Sequence, residues 1–380
     1  MIRLGVDRTE IWEPLTERKR VGLVCSPASV SSAYEDEVTF VGRRCHLVAL
    51  FGPEHGVRGS DVAGERIGNA IDPYTGLPAY SLYQGEDTHL DPSVAENIDV
   101  LLYDIQDLGL RFYTYIATLK GLLRDAASLG LPIIVLDRPN PLGGSVYGAP
   151  LDRMSWSFVG PEAIPVRYGM TAGEIARFFN ERQEKKADLT VVRMEGWNHG
   201  MLWPDTGRVW IPTSPAIGSF ASAFCYAGFC FFEGTNLSEG RGTTTPFQMF
   251  GSPYLDGQAL ASYLNDAELP GLRFVPRLFK PDSGKWKGEV CNGVLVIPEV
   301  PRKANPVKAA LLALWWIGNH HRKFAILPPR TQGALRPLER LMGKEDARRL
   351  FSDVDVLFEE WEKEGIRFQE IAEGGRMYAE

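Results

Sequence analysis

The sequence predicts an α/β protein: a doubly wound parallel sheet joined to a smaller C-terminal α/β (α+β) domain. Three observations carry that expectation. Four short apolar runs lack the alternation of a half-exposed strand, each run ends in a polar turn, and a strongly amphipathic segment separates the last two. Runs without alternation read as strands buried on both faces, and strands interleaved with helices read as a parallel sheet. The 380 residues, 44% of them hydrophobic, are enough for two cores.

The runs follow one syntax. "RVGLVCSP" is an apolar stretch closed by Ser26 and Pro27, and "CHLVALFGPEHG" is one closed by Pro53, Glu54 and His55. "IDVLLYDIQDLG" runs into Asp104, Gln106 and Asp107, and "LPIIVLDRPNP" into Asp137, Arg138 and Asn140. Between the last two, Ile116, Leu119, Leu122, Leu123 and Ala126 recur at helical spacing, and Gly130 suits the left-handed residue that ends a helix. Ligands of open α/β sheets bind beyond the carboxyl ends of the strands, so the four polar turns are expected on one edge.

The Gly/Pro-rich "NPLGGSVYGAP" is expected to leave the first domain, giving domains 1–148 and 149–380, the second closing a cleft over the first. In the second part "MTAGEIARFFNERQ" and "VKAALLALWWIGNHH" read as helices, "ADLTVVRM" as a strand, and the charged tail from about Glu339 to Gly365 as helical. Thr171 and Glu174 have the spacing of a capping box, which argues for a structural rather than a catalytic Glu174.

Composition excludes several classes. Net charge is −7 with no basic run, which argues against nucleic acid as a partner. No apolar stretch is long enough to span a bilayer. The opening "MIRLGVDRTEIWEPL" has no apolar core of a signal peptide, so a cytoplasmic location is expected. Five cysteines, odd in number and mostly inside apolar runs, read as free thiols. No G-x-G-x-x-G follows the first strand and no P-loop occurs, so no nucleotide cofactor is expected despite the Rossmann-like order. G-x-S-x-G, H-E-x-x-H and H-x-H are all absent, and no metal site is expected.

A second polar cluster, "FFEGTNLSEGRGTTTPF", carries Glu233, Asn236, Glu239 and Arg241 among glycines that allow close approach to a ligand. Carboxylates offered by two domains suit glycoside hydrolysis, in which one protonates the leaving oxygen and the other attacks or activates water. Arg58 or Arg111 would keep one carboxylate ionised, and Tyr103, Phe112, Tyr113, Tyr115, Trp203 and Trp210 are available to stack on a sugar.

Together "LFGPEHGVRG", "YDIQDLGLRFYTYI", "LDRPNPLGG", "RYGMTAGEIA" and "FEGTNLSEGRGTTTPF" resemble the exo-β-N-acetylmuramidase (NamZ-like) family over about residues 20 to 330. The resemblance implies a Rossmann-like N-terminal domain, a smaller C-terminal α/β domain and a site in the cleft between them. It implies release of N-acetylmuramic acid from the non-reducing end of peptidoglycan fragments, with a small saccharide or muropeptide as partner and no cofactor. Carried over by motif, Glu54 is the first choice of catalytic carboxylate, Glu239 the second and Glu233 the third. His55, Asp104, Asp107, Arg111, Tyr113, Arg138, Asn140 and Arg241 take positioning and binding roles. An arginine is expected to read the lactyl carboxylate, with Arg58, Arg111, Arg167 and Arg241 as candidates. Two departures stand out: Ala216 follows "SP" where the family has Asn, and many relatives carry an export signal. The alternatives are a sugar-binding protein without catalysis, and another amino-sugar hydrolase or deacetylase.

Overall fold

The computed structural model describes residues 2–59, 70–85 and 87–379. The chain divides into two compact units. The first comprises Met1–Ser145, Tyr168–Pro215 and Gln369–Glu380; the second comprises Val146–Arg167 and Ala216–Phe368.

The strands of the first unit are β1 (Arg20–Cys25), β2 (His46–Gly52), β3 (Ala70–Ile71), β4 (Pro78–Ser81), β5 (Val100–Asp104) and β6 (Ile133–Leu136). The ribbon of β7 (Val146–Tyr147) and β8 (Arg167–Tyr168) follows, and β9 (Leu189–Val192) completes the sheet. The sheet order is β3-β4-β2-β1-β5-β6-β9. All neighbours run parallel except β3, which is antiparallel to β4. Every residue of β5 and β6 is buried, as expected of strands covered on both faces. Leu102, Ile134 and Leu136 of these strands join Val21, Leu23, Leu50 and Val192 in one core.

Parallel register puts the carboxyl ends of β1, β2, β5 and β6 on one edge, so the four polar turns share it. From β1 the chain moves outward to β2 and β4 on one side, then returns to β5 on the other side of β1, which makes the β1/β5 crevice the topological switch point.

A single cut at 148/149 misassigns residues 168–215 and the C-terminal segment. The strand in "ADLTVVRM" belongs to the first sheet, where β9 pairs with β6 from Ile133↔Leu189 to Leu136↔Val192. The chain end returns as well. Tyr378 donates its hydroxyl to Asp137 at 2.6 Å, Met377 N–H donates to Glu174 at 2.7 Å, and His199 N–H donates to the Ala379 carbonyl at 2.9 Å.

The second unit holds a three-stranded antiparallel sheet of β10 (Met249–Ser252), β12 (Cys291–Pro298) and β11 (Leu272–Phe279), in that order. The helices Phe220–Phe229, Gly257–Asp266 and Pro306–His320 belong to the same unit. The charged tail forms three helices, Pro337–Met342, Lys344–Ser352 and Val354–Glu373. All five cysteines are free thiols and four are buried. Among the described residues no helix is long and apolar enough to cross a membrane.

Candidate active site

In the first unit the site begins where β2 ends. A Cβ on Gly52 would lie 2.5–2.7 Å from the backbone of Gly56 and Val57, so the turn folds directly back onto its own strand. His55 takes a left-handed φ of 76°, a conformation costly for a residue with a side chain, and is buried. This tight turn presents Glu54, which is half-buried and accepts the Thr114 hydroxyl at 2.8 Å. Thr114 stands at the N-cap of the helix Tyr115–Leu129 yet makes no side-chain cap bond there. Its hydroxyl is spent on Glu54 instead, forgoing a capping interaction of about 0.5–2 kcal/mol. The amino end of a helix carries partial positive charge, so the fold brings the Glu54 carboxylate to favourable dipoles.

The end of β5 and the turn after it supply two carboxylates with different surroundings. Asp104 is fully buried and grips the Arg138 guanidinium through both oxygens. Arg138 also donates to Glu37 at 2.8 Å and to the Val30 carbonyl at 2.9 Å. Burial first, and the Asp104 charge next, push the Glu37 carboxyl well above the usual range. This ion triad is framework: Asp104 and Arg138 are used up by each other. Asp107, buried beside them in sequence, has no such partner. Its Oδ2 accepts the Gly109 N–H at 2.6 Å and the Tyr168 hydroxyl. Burial pushes it up to about 6, with the Tyr168 hydroxyl as the main opposing effect.

Other residues expected at the site hold the loops. Asn140 donates to the Met170 carbonyl at 3.0 Å and accepts Leu142 N–H at 2.9 Å. Its amide packs so close to Gly109, which has φ +72°, that a Cβ there would meet it at 2.3 Å. Arg58 does not serve Glu54. It pairs with Asp72 at 2.7 Å and Asp36 at 2.6 Å, and holds Asp72 down to about 2. Arg111 and Tyr113 are buried, and the Tyr113 ring meets Tyr115 edge-on at 4.6 Å. Tyr103, Phe112, Tyr113, Tyr115 and Trp203 are core side chains rather than exposed sugar platforms; of the six aromatics considered, Trp210 alone is partly exposed. Glu174 fills its capping box with Thr171 and bonds His199 at 3.0 Å.

The acidic loop of the second unit is locked by cations. Glu239, buried, accepts Lys285 at 2.9 Å and lies 3.5 Å from Arg241. Glu233 accepts Arg241 at 2.8 and 3.2 Å. Lys285 also donates to the carbonyls of Phe232 and Leu237, so it fastens the whole loop. Asn236 is structural: it donates to the Lys323 carbonyl and accepts from Tyr254 and Ala325. Arg167 is buried, and burial lowers it to about 10. Among the described residues, no three His, Cys, Asp or Glu side chains converge as they would to hold a metal ion.

Thr114, Tyr168, Glu37 and Lys285 complete these arrangements, and the sequence did not single them out. Tyr168 lies inside a family motif, so attention to its hydroxyl would have found it. Lys285 partners Glu239 across 46 residues, a separation that no local pattern marks.

The architecture is that of an α/β protein whose polar turns gather at the carboxyl edge of a parallel sheet, the usual place for a ligand site, with a second unit that carries an acidic loop of its own. Sequence comparison narrows the class. The family described as "Exo-beta-N-acetylmuramidase NamZ, N-terminal" matches residues 21–221, and its C-terminal counterpart matches residues 224–378. The chain belongs to this family. It is 43% identical over 296 residues to the peptidoglycan β-N-acetylmuramidase NamZ of Bacillus subtilis, covering 77% of this chain and 71% of that protein. Two crystal structures of DUF1343 family proteins from Bacteroides fragilis are similar. One has a TM-score of 0.88 at 32% identity, covering 99% of each chain. The other has a TM-score of 0.79 at 26% identity, covering 100% of this chain and 99% of that one.

Proposed function

We propose that this glycosidase releases N-acetylmuramic acid from the non-reducing end of peptidoglycan fragments, by a paired-carboxylate hydrolysis in which Glu54 is the charged partner. The observation that carries the reading is the Glu54 setting: a strained turn at a strand end, a hydroxyl taken from a helix cap, and the dipoles of a fifteen-residue helix. In its charged form Glu54 either attacks the anomeric carbon or takes a proton from attacking water.

Muramic acid differs from glucosamine by a lactyl group that bears a carboxylate. Of the four candidate arginines, Arg111 and Arg167 are buried, and Arg58 is held between two aspartates. Arg241 keeps 40% of its side chain exposed on a rigid mount, with Nε and Nη2 on Glu233 and its face over Phe247. Of the four, Arg241 is thus the candidate whose guanidinium is mounted and accessible to a ligand carboxylate. The test is hydrolysis of a chromogenic β-N-acetylmuraminide beside the matching glucosaminide, without added cofactor. Cleavage of the muraminide with only weak cleavage of the glucosaminide is expected; the reverse preference contradicts the assignment. Proton NMR of the first sugar anomer released separates attack by Glu54 from attack by water.

A further inference from the structure

We propose that Asp107 is the carboxyl group that protonates the leaving oxygen, with Tyr168 as its positioning residue. The inference rests on the muramidase reading and on Glu54 as the charged partner.

Paired-carboxylate hydrolysis needs two acidic groups in opposite environments, one kept charged and one kept neutral until it gives up its proton. Most acidic groups described above are unsuited to the second task. Glu233 and Glu239 are tied up in ion pairs with Arg241 and Lys285. Asp104 is clasped by Arg138. Asp137 is filled by four donors: Tyr378, Thr171 and the N–H groups of Gly173 and Arg138.

Asp107 differs from all of these. Among the described residues it makes no ion pair. The Gly109 N–H and the Tyr168 hydroxyl both fall on Oδ2, while Oδ1 is buried and has no hydrogen-bond partner. An orphaned carboxyl oxygen in a dry setting is costly as a charge and inexpensive as O–H. Tyr168 is fixed to the same turn twice, since its own N–H also donates to the Gly109 carbonyl. The titratable groups that sense Asp107 are Tyr103 on β5, Tyr113 in the following loop and Tyr168 itself, and no basic side chain offsets its burial. Tyr113 packs edge-on against Tyr115, and Tyr115 senses the Glu54 charge. Asp107 and Glu54 thus each act on one member of this tyrosine pair.

The step balances. As the bond from the anomeric carbon to the leaving oxygen breaks, its electron pair goes to that oxygen, which takes the Asp107 proton. Water supplies the hydroxyl that completes the anomeric carbon, and its remaining proton returns to the carboxylate pair.

The test is Asp107→Asn assayed on two substrates. A sugar leaving group needs protonation, and a dinitrophenyl leaving group does not. The expected result is a ~10²–10⁴-fold fall on the disaccharide with a loss of no more than about tenfold on the dinitrophenyl muraminide. A general acid must be protonated, so wild-type kcat/KM on the disaccharide should fall as pH rises through about 6. Tyr168→Phe removes a donor that stabilises the charged form and should move that limb to higher pH. This second variant decides the matter if Asp107→Asn does not fold. Equal losses on both substrates for Asp107→Asn, or an unmoved limb in Tyr168→Phe, overturn the proposal. If Glu54→Gln abolishes cleavage of both substrates while Asp107→Asn behaves as wild type, this inference fails and the muramidase reading stands. If Glu54→Gln keeps full activity, the Glu54 reading itself fails.

Discussion

Asp107 at the sheet edge and the two glutamates of the acidic loop in the second unit are treated in opposite ways. In the loop, Glu233 and Glu239 are bound to Arg241 and Lys285. At the sheet edge, Glu54 meets a hydroxyl and a helix end, and Asp107 keeps an oxygen without a partner. The glutamates satisfied by cations hold a loop together, as Asp104 and Arg138 hold the turns of the sheet edge; Asp107, which makes no ion pair among the described residues, remains available for chemistry. Counting acidic residues in a motif therefore misleads, because the partner decides what a carboxylate can do.

The largest expected effect tests the sheet edge directly. Glu54→Gln keeps the shape and removes the charge, and turnover should fall by ~10²–10⁴-fold with substrate binding largely intact. Steady-state kinetics with a direct binding measurement checks this. Activity within a few-fold of wild type would move the charged carboxylate to the loop and break the comparison.

The next effect is on stability. Arg138→Met leaves Asp104 and Glu37 buried without their cation, and removing one partner of a buried ion cluster costs about 3–5 kcal/mol. Denaturant titration reads this directly. A change under about 1 kcal/mol would mean that water reaches the triad, and that Asp104 is open to ligand after all.

Asp107 sharpens the contrast through pH. Its folded-state value near 6 stands above the ordinary aspartate value of 3.8. A raised carboxyl favours the folded state only below the unfolded value, so its contribution is lost as pH climbs from about 4 to about 6. At ~1.4 kcal/mol for each pH unit of separation, the folded protein gives up about 3 kcal/mol across that window. Asp107→Asn should therefore gain on wild type in melting temperature between pH 4 and pH 7, a stability gained at the expense of activity. Parallel melting curves for the two proteins across that range would show Asp107 to be an ordinary, solvated acid.

Much of this arrangement was legible in the sequence, and the illegible part has a common cause. The runs of β1, β2, β5 and β6 stand out because burial on both faces removes every polar interruption. The capping box at Thr171 and the left-handed Gly130 are local chemistry and read correctly. The strand of β9 was visible, but its place beside β6 was not, because the chain leaves the unit and comes back before forming it. Partners that arrive from far along the chain were equally hidden: Arg138 for Asp104, Tyr168 for Asp107 and Lys285 for Glu239. The aromatics failed for another reason. A tyrosine in a motif looks the same whether it faces a sugar or the core, and Tyr103, Tyr113 and Tyr115 face the core.

The smallest effect probes what the acidic loop does if it does no chemistry. Arg241→Met removes the guanidinium while leaving a side chain of similar length over Phe247. A charge-assisted hydrogen bond to a ligand carboxylate contributes about 1.5–3 kcal/mol, so KM for the muraminide should rise by ~10–10²-fold. If the interaction is uniform through the reaction, kcat stays near wild type. The same substitution should leave the weak cleavage of a glucosaminide unchanged, since that sugar has no lactyl group, and the preference between the two sugars should narrow accordingly. Glu233 complicates the substitution by losing its partner, but it is one-third exposed and water can replace the arginine at little cost. The decisive reading is the split between KM and kcat. A rise in KM alone keeps the loop in recognition and the sheet edge in catalysis. A fall in kcat of similar size on both sugars would mean that Arg241 sets the charge of a reacting carboxylate, which returns Glu239 to the chemistry and removes the distinction between the two regions.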